Sequence, residues 1–352
     1  MQTILVLFGG VSPEHAVSLV SAEAVLRNLN KDNRRILPVG ITREGKWLLY
    51  GGSDYTEIAK DTWEQHPANK TAFLSPERGM GLRVLTEGVP ESVPVDVVFP
   101  VLHGENGEDG SVQGLFRLAG IPFVGCGICA SASSMDKSVT KLIAATTGVR
   151  QAKWLTLRRS SFRADAETMC RNILDTLGLP VFIKPCSTGS SVGVSKVKTA
   201  EQLTAALETA FRYDQKILAE EFINGKEVEV AVLGNEDPVA AVAGEIDAGA
   251  EFYDYETKYV TSTSQAFIPA RIDDKTMTDV RAWAVKIFTA LGCAGLSRVD
   301  FFVTRDTNEI VFNEINTLPG FTPISMYPKM WAADGLPFGA LLDKLIELAL
   351  EG

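Results

Sequence analysis

Positive charge and long apolar runs are both scarce in this sequence. It carries 34 Lys and Arg against 44 Asp and Glu, a net charge of -10, which argues against a surface built to neutralise nucleic-acid phosphates. No apolar run approaches the ~20 residues that cross a bilayer, and the first eight residues lack the basic flank of a secretory signal. We therefore expect a cytoplasmic protein with neither a nucleic-acid nor a membrane partner.

Cysteine and histidine are also rare, with five Cys and three His. An odd number of cysteines is typical of reduced thiols in a cytosolic protein. The one C-x-x-C is Cys126-Gly-Ile-Cys129, and no second pair or histidine cluster accompanies it to complete a zinc site. We expect these cysteines to be small buried side chains.

The chain is longer than one ordinary domain, and its pattern indicates three regions, 1–125, 126–222 and 223–352. Segments rich in Val, Ile and Phe alternate with helical patterns, which predicts an α/β architecture with largely parallel sheets. The predicted strands are 3–8, 36–41, 95–101, 181–184, 228–233, 239–245, 298–304 and 309–315. The predicted helices are 15–29, 139–147 and 338–349.

A loop of small residues follows the strand that ends at Lys184, in the segment Lys184-Pro-Cys-Ser-Thr-Gly-Ser-Ser-Val-Gly-Val194. Such a loop can direct backbone N–H groups and hydroxyls at phosphate oxygens, because glycine permits close approach. Its spacing is not that of a P-loop, and no G-x-G-x-x-G follows the first strand. A phosphate cradle and a plain turn both remain open.

Acidic and amide side chains occur two apart on two predicted strands, in Arg298-Val-Asp300 and Glu314-Ile-Asn316. Residues two apart on a strand share a face, so three oxygen ligands would converge beside one arginine if the strands are neighbours. Hard oxygen ligands suit Mg²⁺. The alternative is a pair of solvated strand faces.

Two further polar side chains follow strands of the first region. In Phe8-Gly-Gly-Val-Ser-Pro-Glu14, Ser12 is a predicted helix N-cap, which puts Glu14 in the first turn, where it would accept a substrate ammonium or stabilise the helix dipole. His103 follows the strand 95–101 and either lines a pocket or caps the turn.

Together these motifs resemble the D-alanine–D-alanine ligase family of the ATP-grasp superfamily. Eight segments carry the resemblance in the order expected, spanning nearly the whole chain: FGGVSPEHAVSL, PVLHGENGEDG, SMDK, FIKPCSTGSSVGVSKV, EEFINGKEVEV, YDYETKY, SRVDFF and NEINTLPGFTPISMYP. The resemblance implies an N-terminal domain with an open parallel sheet, followed by a two-domain ATP-grasp unit of α+β type. It also implies a homodimer that uses ATP and two Mg²⁺ ions, for which Mn²⁺ is a substitute.

The implied reaction begins when ATP converts the carboxylate of a first D-alanine into an acyl phosphate, which the amine of a second D-alanine then attacks. By resemblance, the catalytic residues are Glu14, Ser190, Tyr259 and Arg298. ATP would contact Lys137, Lys184, Ser190, Ser191, Glu220, Glu221, Phe222, Ile223, Glu227 and Lys258. The substrate residues would be Glu14, His103, Gly320, Ser325 and Met326, and the metal ligands Asp300, Glu314 and Asn316.

The choice of second substrate turns on few positions in this family. The YDYETKY segment that ends at Tyr259 resembles the pattern of dipeptide-forming members, and the apolar Met326 suits a methyl group. D-Alanine is therefore favoured over D-serine, the alternative. Two positions depart from the family pattern: His15-Ala16 lacks an acidic residue found in many relatives, and Cys186 stands at the entrance of the phosphate loop.

Overall fold

Three β-sheets organise the protein in a computed structural model that describes residues 1–247 and 265–351. Within these ranges, the sheets follow one another along the chain, and helices pack between and around them. No helix of the described ranges has the length and apolar character that spanning a lipid bilayer requires. Lys258 and Tyr259 lie outside the described residues.

The first sheet has seven strands in the order β6-β5-β4-β3-β2-β1-β7. Its strands are β1 Gln2–Gly9, β2 Arg34–Ile41, β3 Trp47–Leu49, β4 Lys70–Leu74, β5 Leu82–Thr86, β6 Val89–Val93 and β7 Val97–Leu102. Only β1 pairs in parallel, with β2 on one side and β7 on the other. The remaining pairs are antiparallel.

Both faces of β1 are covered, which explains its unbroken apolar sequence. Ile4, Val6 and Phe8 face the helices α1 His15–Asn28 and α11 Phe338–Glu351, whereas Leu5 and Leu7 face α3 Ser111–Ala119. The side chains from Ile4 to Phe8 are fully buried. Their C-terminal edge, where Gly9 and Leu102 end β1 and β7, is where the first predicted site residues follow.

The second sheet is antiparallel, in the order β10-β9-β11-β8. Its strands are β8 Trp154–Arg158, β9 Val181–Pro185, β10 Ser195–Val197 and β11 Lys216–Glu221. The helices α7 Ala166–Leu177 and α8 Leu203–Tyr213 bury apolar residues against one face, and α6 Arg159–Ala164 precedes them.

The third sheet has the order β15-β14-β12-β16-β17, and a short strand β13 also pairs with β12. Its strands are β12 Gly225–Gly234, β13 Val239–Ala240, β14 Gly244–Asp247, β15 Gln265–Phe267, β16 Gly295–Thr304 and β17 Ile310–Asn316. All its pairs are antiparallel.

The other helices of the described ranges lie between strands along the chain or follow the last strand. They are α2 Thr56–Ala59, α4 Ile128–Met135, α5 Lys137–Ala145, α9 Asp274–Ala290 and α10 Met326–Ala333, with 3-10 turns at Trp63–Gln65 and Ala200–Gln202. Helix α5 begins earlier than its apolar pattern predicted, because the Asp136 side chain accepts the N–H groups of Ser138 and Val139.

The predicted mixed α/β architecture is confirmed, but three details of the sequence reading are wrong. Among the strands of the described ranges only β1 pairs in parallel with other strands, so the sheets are not largely parallel. The single strand predicted at 239–245 is two strands, β13 and β14. Ser12 is not the N-cap of α1 as predicted. The helix begins at His15, and the Ser12 hydroxyl accepts the N–H of Glu14 in the turn before it. The domain limits at 125 and 222 stay a prediction.

The cysteines are free thiols in different environments. Cys126 is buried as expected, but Cys129 is exposed, so the expectation was wrong for the second member of the C-x-x-C. Cys186 is buried, and burial, reinforced by the charge of Asp136, raises its pKa to about 11. Its reactive thiolate form is therefore disfavoured at neutral pH.

Gly40 in β2 provides a test of the packing behind the first sheet. A Cβ there would lie 2.2 Å from Cη2 of the buried Trp63 and 2.7 Å from Cε2 of Phe8. These rings already pack edge to face with centroids 5.0 Å apart. Gly40→Ala should therefore cost about 1–3 kcal/mol by overpacking, measured as a lower midpoint of thermal unfolding.

Gly114→Ala is the matched control, because Gly114 lies inside α3 and an added Cβ would meet open space. This substitution should leave the midpoint unchanged or raise it, since alanine favours helix by ~0.5–1 kcal/mol. Equal midpoints for wild type and Gly40→Ala would show that the Trp63 contact does not constrain the sheet.

Candidate active site

Two adjoining cavities lie where the three sheets meet, with volumes of about 160 and about 700 Å³. The larger has the size typical of a small-molecule site. The predicted residues that line the smaller cavity are Glu14, His103, Lys137, Ser190, Arg298, Glu314, Asn316, Gly320, Ser325 and Met326. Those that line the larger are Lys137, Lys184, Ser190, Ser191, Glu220, Glu221, Phe222, Ile223, Glu227, Asp300 and Glu314.

Every predicted site residue within the described ranges therefore lines one cavity or both. Lys137, Ser190 and Glu314 line both, and so stand at the boundary between them. The structure thus places the predicted substrate and nucleotide residues side by side. Lys258 and Tyr259, predicted to belong to the same site, lie outside the described residues.

The Glu14 carboxylate joins the first sheet to the loop after β9. Ser190 donates a hydrogen bond from its Oγ to Oε1 of Glu14. The other carboxylate oxygen lies so close to Gly104 and Gly189 that a Cβ on either would approach it to 2.6 Å. Glycine at these positions therefore lets two loops close around one carboxylate.

His103 links the first sheet to the loop after β17. Its Nδ1 lies 3.1 Å from the carbonyl oxygen of Leu318, and its Nε2 lies 3.2 Å from Oγ of Ser21. Burial lowers the pKa of His103, although the charge of Glu14 opposes this effect. A neutral ring that donates from Nδ1 and accepts at Nε2 satisfies both contacts.

The sequence reasoning missed Ser21. It lies in α1 one turn beyond Val17, which lines the smaller cavity. Its hydroxyl also accepts the backbone N–H of Phe321 at 3.2 Å. This one buried side chain therefore holds His103 and the loop that begins at Gly320. The helical spacing from Glu14 was an available signal.

Glu108 is a second residue that the sequence reasoning left unassigned. Its Oε2 accepts the backbone N–H of Gly104 at 2.7 Å, and it lines the smaller cavity with Glu14. Burial and the neighbouring charge of Glu14 raise its pKa to about 8. At neutral pH this carboxyl is therefore mostly protonated.

Arg298 is clamped in the middle of the third sheet. Its Nε and Nη2 donate to the two carboxylate oxygens of Asp300 at 2.8 and 2.6 Å, and Nε lies 3.4 Å from Oε2 of Glu229. Burial alone would lower the pKa of Arg298, but the charges of Asp300 and Glu229 raise it well above its ordinary value. The guanidinium is thus a fixed, fully charged group at the wall of the smaller cavity.

Three carboxylates stand abreast on neighbouring strands, because Asp300 of β16 pairs with Glu229 of β12 and with Glu314 of β17. Arg298 pairs with Asn316 in the same register, so β16 and β17 are the neighbours that the sequence prediction required. Arg298 interacts electrostatically with Asp300 and Glu229, and Lys184 interacts with Glu314. This donor set fits a divalent cation that prefers oxygen ligands, because each carboxylate oxygen has more than one lone pair.

The pairing of β16 with β17 is irregular between Asp300 and Phe301, and Asn313 is the extra residue on β17. Such bulges often reorient side chains beside active sites. Asn313 and Glu314 consequently both line the two cavities, which simple alternation along a strand would not predict.

A buried ion cluster underlies the larger cavity, where the Glu220 carboxylate pairs with Lys141 on one oxygen and with Lys184 on the other. Burial opposes ionisation of Glu220, but the two lysines outweigh it and lower its pKa to about 2. Burial likewise opposes the charge on Lys184, and the attraction of Glu220 overcomes it and raises that pKa. Lys184 is thus held as a cation beside the loop 186–193.

Lys141 was missed, although it lies four residues after Lys137 and therefore on the same face of α5. A charged residue at the interior of an amphipathic helix is a signal that sequence alone offers. Burial lowers the pKa of Lys141, with Glu220 acting in the opposite direction.

The loop 186–193, which follows β9, lies against α5 and the cavities. Lys137 donates from Nζ to the carbonyl oxygen of Thr188 at 2.7 Å. Ser190 and Ser191 both have left-handed backbone conformations, with φ of 47° and 59°. Such conformations cost energy in residues other than glycine and are frequent at ligand-binding loops.

The end of β11, where the sequence predicted ATP contacts, does not direct all its side chains into the larger cavity in the same way. Glu220 lies beneath the cavity in its ion cluster, whereas Glu221 accepts the backbone N–H of Lys153 at 2.9 Å. The rings of Phe182 and Phe222 lie near each other in the cavity wall, and Nζ of Lys196 lies 3.7 Å from the Phe222 centroid. This edge offers a flat aromatic surface with basic groups beside it.

The far end of the smaller cavity is closed by the loop 320–326. The Ser325 hydroxyl lies 3.0 Å from the backbone nitrogen of Thr322, and a Cβ on Gly320 would approach that hydroxyl to 2.8 Å. The Met326 methyl packs over Gly244 of β14, where a Cβ would lie 2.2 Å from Cε. The wall contributed by Met326 is therefore apolar and tightly packed.

Family models match both parts of the chain: "D-ala D-ala ligase N-terminus" over residues 3–126 and "D-ala D-ala ligase C-terminus" over residues 143–347. The D-alanine--D-alanine ligase of Acetivibrio thermocellus is 48% identical over 360 residues, covering 99% of this chain and 96% of that relative. The D-alanine--D-alanine ligase of Caldicellulosiruptor bescii is 46% identical, with 99% and 95% covered.

Solved structures agree with the sequence comparisons. The VanG D-Ala:D-Ser ligase from Enterococcus faecalis is similar with a TM-score of 0.89 and 43% identity, covering 99% of both chains. The D-alanine-D-alanine ligase from Coxiella burnetii has a TM-score of 0.86 and 34% identity, covering 99% of this chain and 94% of that one. These similarities confirm the predicted ATP-grasp architecture, and the chain belongs to the D-alanine–D-alanine ligase family.

Proposed function

We propose that this protein joins two molecules of D-alanine into a dipeptide at the expense of ATP, for use in peptidoglycan precursors. The observation that carries the proposal is the meeting of Glu14, Ser190 and Arg298 in one small cavity beside a larger one. The first supplies an anion for an ammonium group, and the last supplies a fixed cation for a developing oxyanion. The large cavity provides space for the nucleotide that activates the carboxylate.

ATP, when bound, supplies the phosphoryl group that turns the first carboxylate into an acyl phosphate, a far better electrophile. Lys137 and Lys184 are the proposed phosphate contacts. Ser190 and Ser191 belong to the loop after β9, which would close over the phosphates. The edge from Glu220 to Ile223 would hold the adenine, with Glu227 at the ribose. The ion pair with Glu220 keeps Lys184 charged for this role.

Two Mg²⁺ ions, or Mn²⁺ in their place, would neutralise phosphate charge when bound. Asp300, Glu314 and Asn316 are their proposed ligands. The row of oxygen donors that Glu229, Asp300 and Glu314 form on neighbouring strands supports this proposal, since a hard dication prefers such ligands.

Glu14 would bind the ammonium group of the first D-alanine, with neutral His103 near it. Tyr259 would complete a hydrogen-bonded triad with Glu14 and Ser190, and Lys258 would reach the transferred phosphate. Since Ser190 already donates to Glu14, the loop and the substrate anchor form one unit. Closing that unit would exclude water, which otherwise hydrolyses the acyl phosphate.

Arg298 would stabilise the tetrahedral oxyanion that forms when the second amine attacks. Because Asp300 fixes two of its nitrogens, the guanidinium needs no reorientation as charge develops. The second D-alanine must first lose an ammonium proton. Ser325 and the backbone near Gly320 would position it, with its methyl group toward Met326.

D-Serine as the second substrate is the alternative, and it has one observation in its favour, the 43% identity to the VanG D-Ala:D-Ser ligase. Two observations favour D-alanine: the curated relatives named D-alanine--D-alanine ligase reach 48% identity, and Met326 offers no hydrogen-bond partner to a hydroxyl. An apolar wall rejects an added hydroxyl only on the order of 100-fold, so competition decides the matter. A cytoplasmic homodimer is part of the proposal and rests on the family alone.

The identity of the dipeptide product tests the proposed function. With ATP, Mg²⁺ and D-alanine alone, and then with D-serine or D-lactate in competition, D-alanyl-D-alanine should dominate by mass spectrometry while phosphate is released. If a mixed product is in excess, the second substrate is D-serine or D-lactate and not D-alanine. Absence of turnover with any D-amino acid would remove the proposed function itself.

Arg298→Lys should keep the positive charge but lose the planar fork that Asp300 holds. We expect kcat to fall on the order of 10²–10³-fold, because the loss falls mainly on the transition state. ATP affinity, measured by calorimetry, should change little. The control is Arg281→Lys in α9, whose guanidinium bonds the Ala240 carbonyl away from both cavities. Undiminished turnover in Arg298→Lys would remove the oxyanion role.

Glu314→Gln should raise the Mg²⁺ concentration needed for half-maximal activity, because an amide offers one oxygen and no negative charge. Glu309→Gln is the matched control, since Glu309 precedes β17, is exposed and pairs with Arg150. Magnesium titrations of phosphate release should separate the two variants. Identical titrations of wild type and Glu314→Gln would exclude this carboxylate as a ligand.

A further inference from the structure

A second group of metal-binding side chains lies outside the two cavities, at the start of α1. His15 is the first residue of that helix, Asp61 follows α2, and Glu64 lies in the 3-10 turn Trp63–Gln65. One nitrogen or oxygen from each of them lies within 4.8 Å of the others. Three separate segments of the chain therefore bring one imidazole and two carboxylates together.

The imidazole of His15 is fully buried, yet only one of its nitrogens has a hydrogen-bond partner in the described part of the chain. Its Nδ1 lies 2.7 Å from the Gly10 carbonyl oxygen and must donate there. Its Nε2 is buried without a hydrogen bond and lies 3.8 Å from Oδ1 of Asp61. Leaving a buried polar nitrogen unsatisfied costs ~1–3 kcal/mol, so this atom points to a missing partner.

The orientation of His15 is the one that metal-binding histidines usually have. Such residues donate one ring N–H to a carbonyl or carboxylate, which fixes the tautomer and leaves a lone pair on the other nitrogen. The bond between Nδ1 and Gly10 has this orientation here, and Nε2 lies on the side of the two carboxylates. We infer that His15, Asp61 and Glu64 form a site for a divalent transition-metal ion of the zinc class, separate from the Mg²⁺ ligands of the active site.

The donor set selects the class of metal. One imidazole nitrogen and two carboxylate oxygens, with a water in the fourth position, are a common set for Zn²⁺. Mg²⁺ prefers oxygen ligands alone and binds imidazole poorly. The site therefore differs in chemistry from the all-oxygen group of Asp300, Glu314 and Asn316.

The surrounding charges also favour a cation. Glu44 and Asp61 act on Glu64 with like negative charge, and His15 and Arg43 act in the opposite direction. Arg43 offsets some of it through Nη2, 3.1 Å from Oδ2 of Asp61, and this leaves Oδ1 on the side of His15. A carboxylate that is held on one oxygen and directed by the other is well placed to bind a metal.

Only modest movement is needed to complete the coordination. Ligand atoms around a tetrahedral Zn²⁺ lie about 3.3–3.5 Å apart at metal–ligand distances of ~2.0–2.1 Å. Nε2 of His15 and Oδ1 of Asp61 are 3.8 Å apart, and the side chain of Asp61 is 40% exposed, which gives the ion a path from solvent. Because His15 directly follows Glu14, the bound ion would also tie the start of α1 to the segment 61–64.

Zn²⁺ binding to the full chain without nucleotide tests the inference. The titration uses a chromophoric chelator as competitor and excess Mg²⁺ to occupy oxygen-only donors. Wild type should bind one Zn²⁺ that Asp61→Asn and Glu64→Gln each weaken by about tenfold or more, as loss of a ligand should cost at least what loss of an outer-shell partner does. Asp61 has φ of 58°, a conformation that asparagine tolerates, so this variant should fold.

Glu44→Gln is the matched control, because it removes the same charge from the neighbourhood without removing a ligand atom. It should bind Zn²⁺ nearly as tightly as wild type, and so should Glu314→Gln. Absence of a Zn²⁺ site in wild type, an equal loss in Glu44→Gln, or a loss confined to Glu314→Gln would each overturn the inference. The measurement involves no substrate, so its outcome is independent of the ligase proposal.

Discussion

A guanidinium in the interior of a sheet is tolerated only where counter-charges and hydrogen bonds replace the water it has lost. In this protein Asp300 and Glu229 replace that water for Arg298, and the antiparallel register of β12, β16 and β17 brings them there. The same register sets Glu314 beside Asp300. The cation for the proposed oxyanion and the ligands for the proposed metal ions therefore depend on one strand alignment, and a slip of one residue would turn every one of them to the opposite face.

The site also depends on loops from different sheets closing on a single carboxylate. Glu14 comes from the first sheet, Ser190 from the loop of the second, and Arg298 from the third. Gly104 and Gly189 permit the close approach, because a side chain at either would collide with the carboxylate. The hydrogen bond from Ser190 to Glu14 therefore ties the loop after β9 to the turn before α1.

Buried charges are handled in two ways in this molecule. In the cluster of Lys141, Glu220 and Lys184 the one carboxylate pairs with both lysines, whose charges keep the pKa of Glu220 low although it is out of water. At His15, by contrast, a buried nitrogen faces two carboxylates without a hydrogen bond in the described ranges. The first arrangement satisfies itself, whereas the second is completed by a cation from solution, and this difference separates a supporting cluster from a binding site.

The sequence alone determined the mixed α/β class, the family, and the residue types of the site, because these follow from local periodicity and from motifs such as Arg298-Val-Asp300. It predicted that Asp300, Glu314 and Asn316 would converge, since side chains two apart on a strand share a face. Tertiary structure decided which strands are neighbours, so only it revealed the row with Glu229 and the bulge at Asn313. It also decided the partners of Ser21, Glu108, Lys141 and His15, because these lie far away in sequence or depend on burial. Contacts between distant segments follow from how the whole chain packs, which no local pattern encodes.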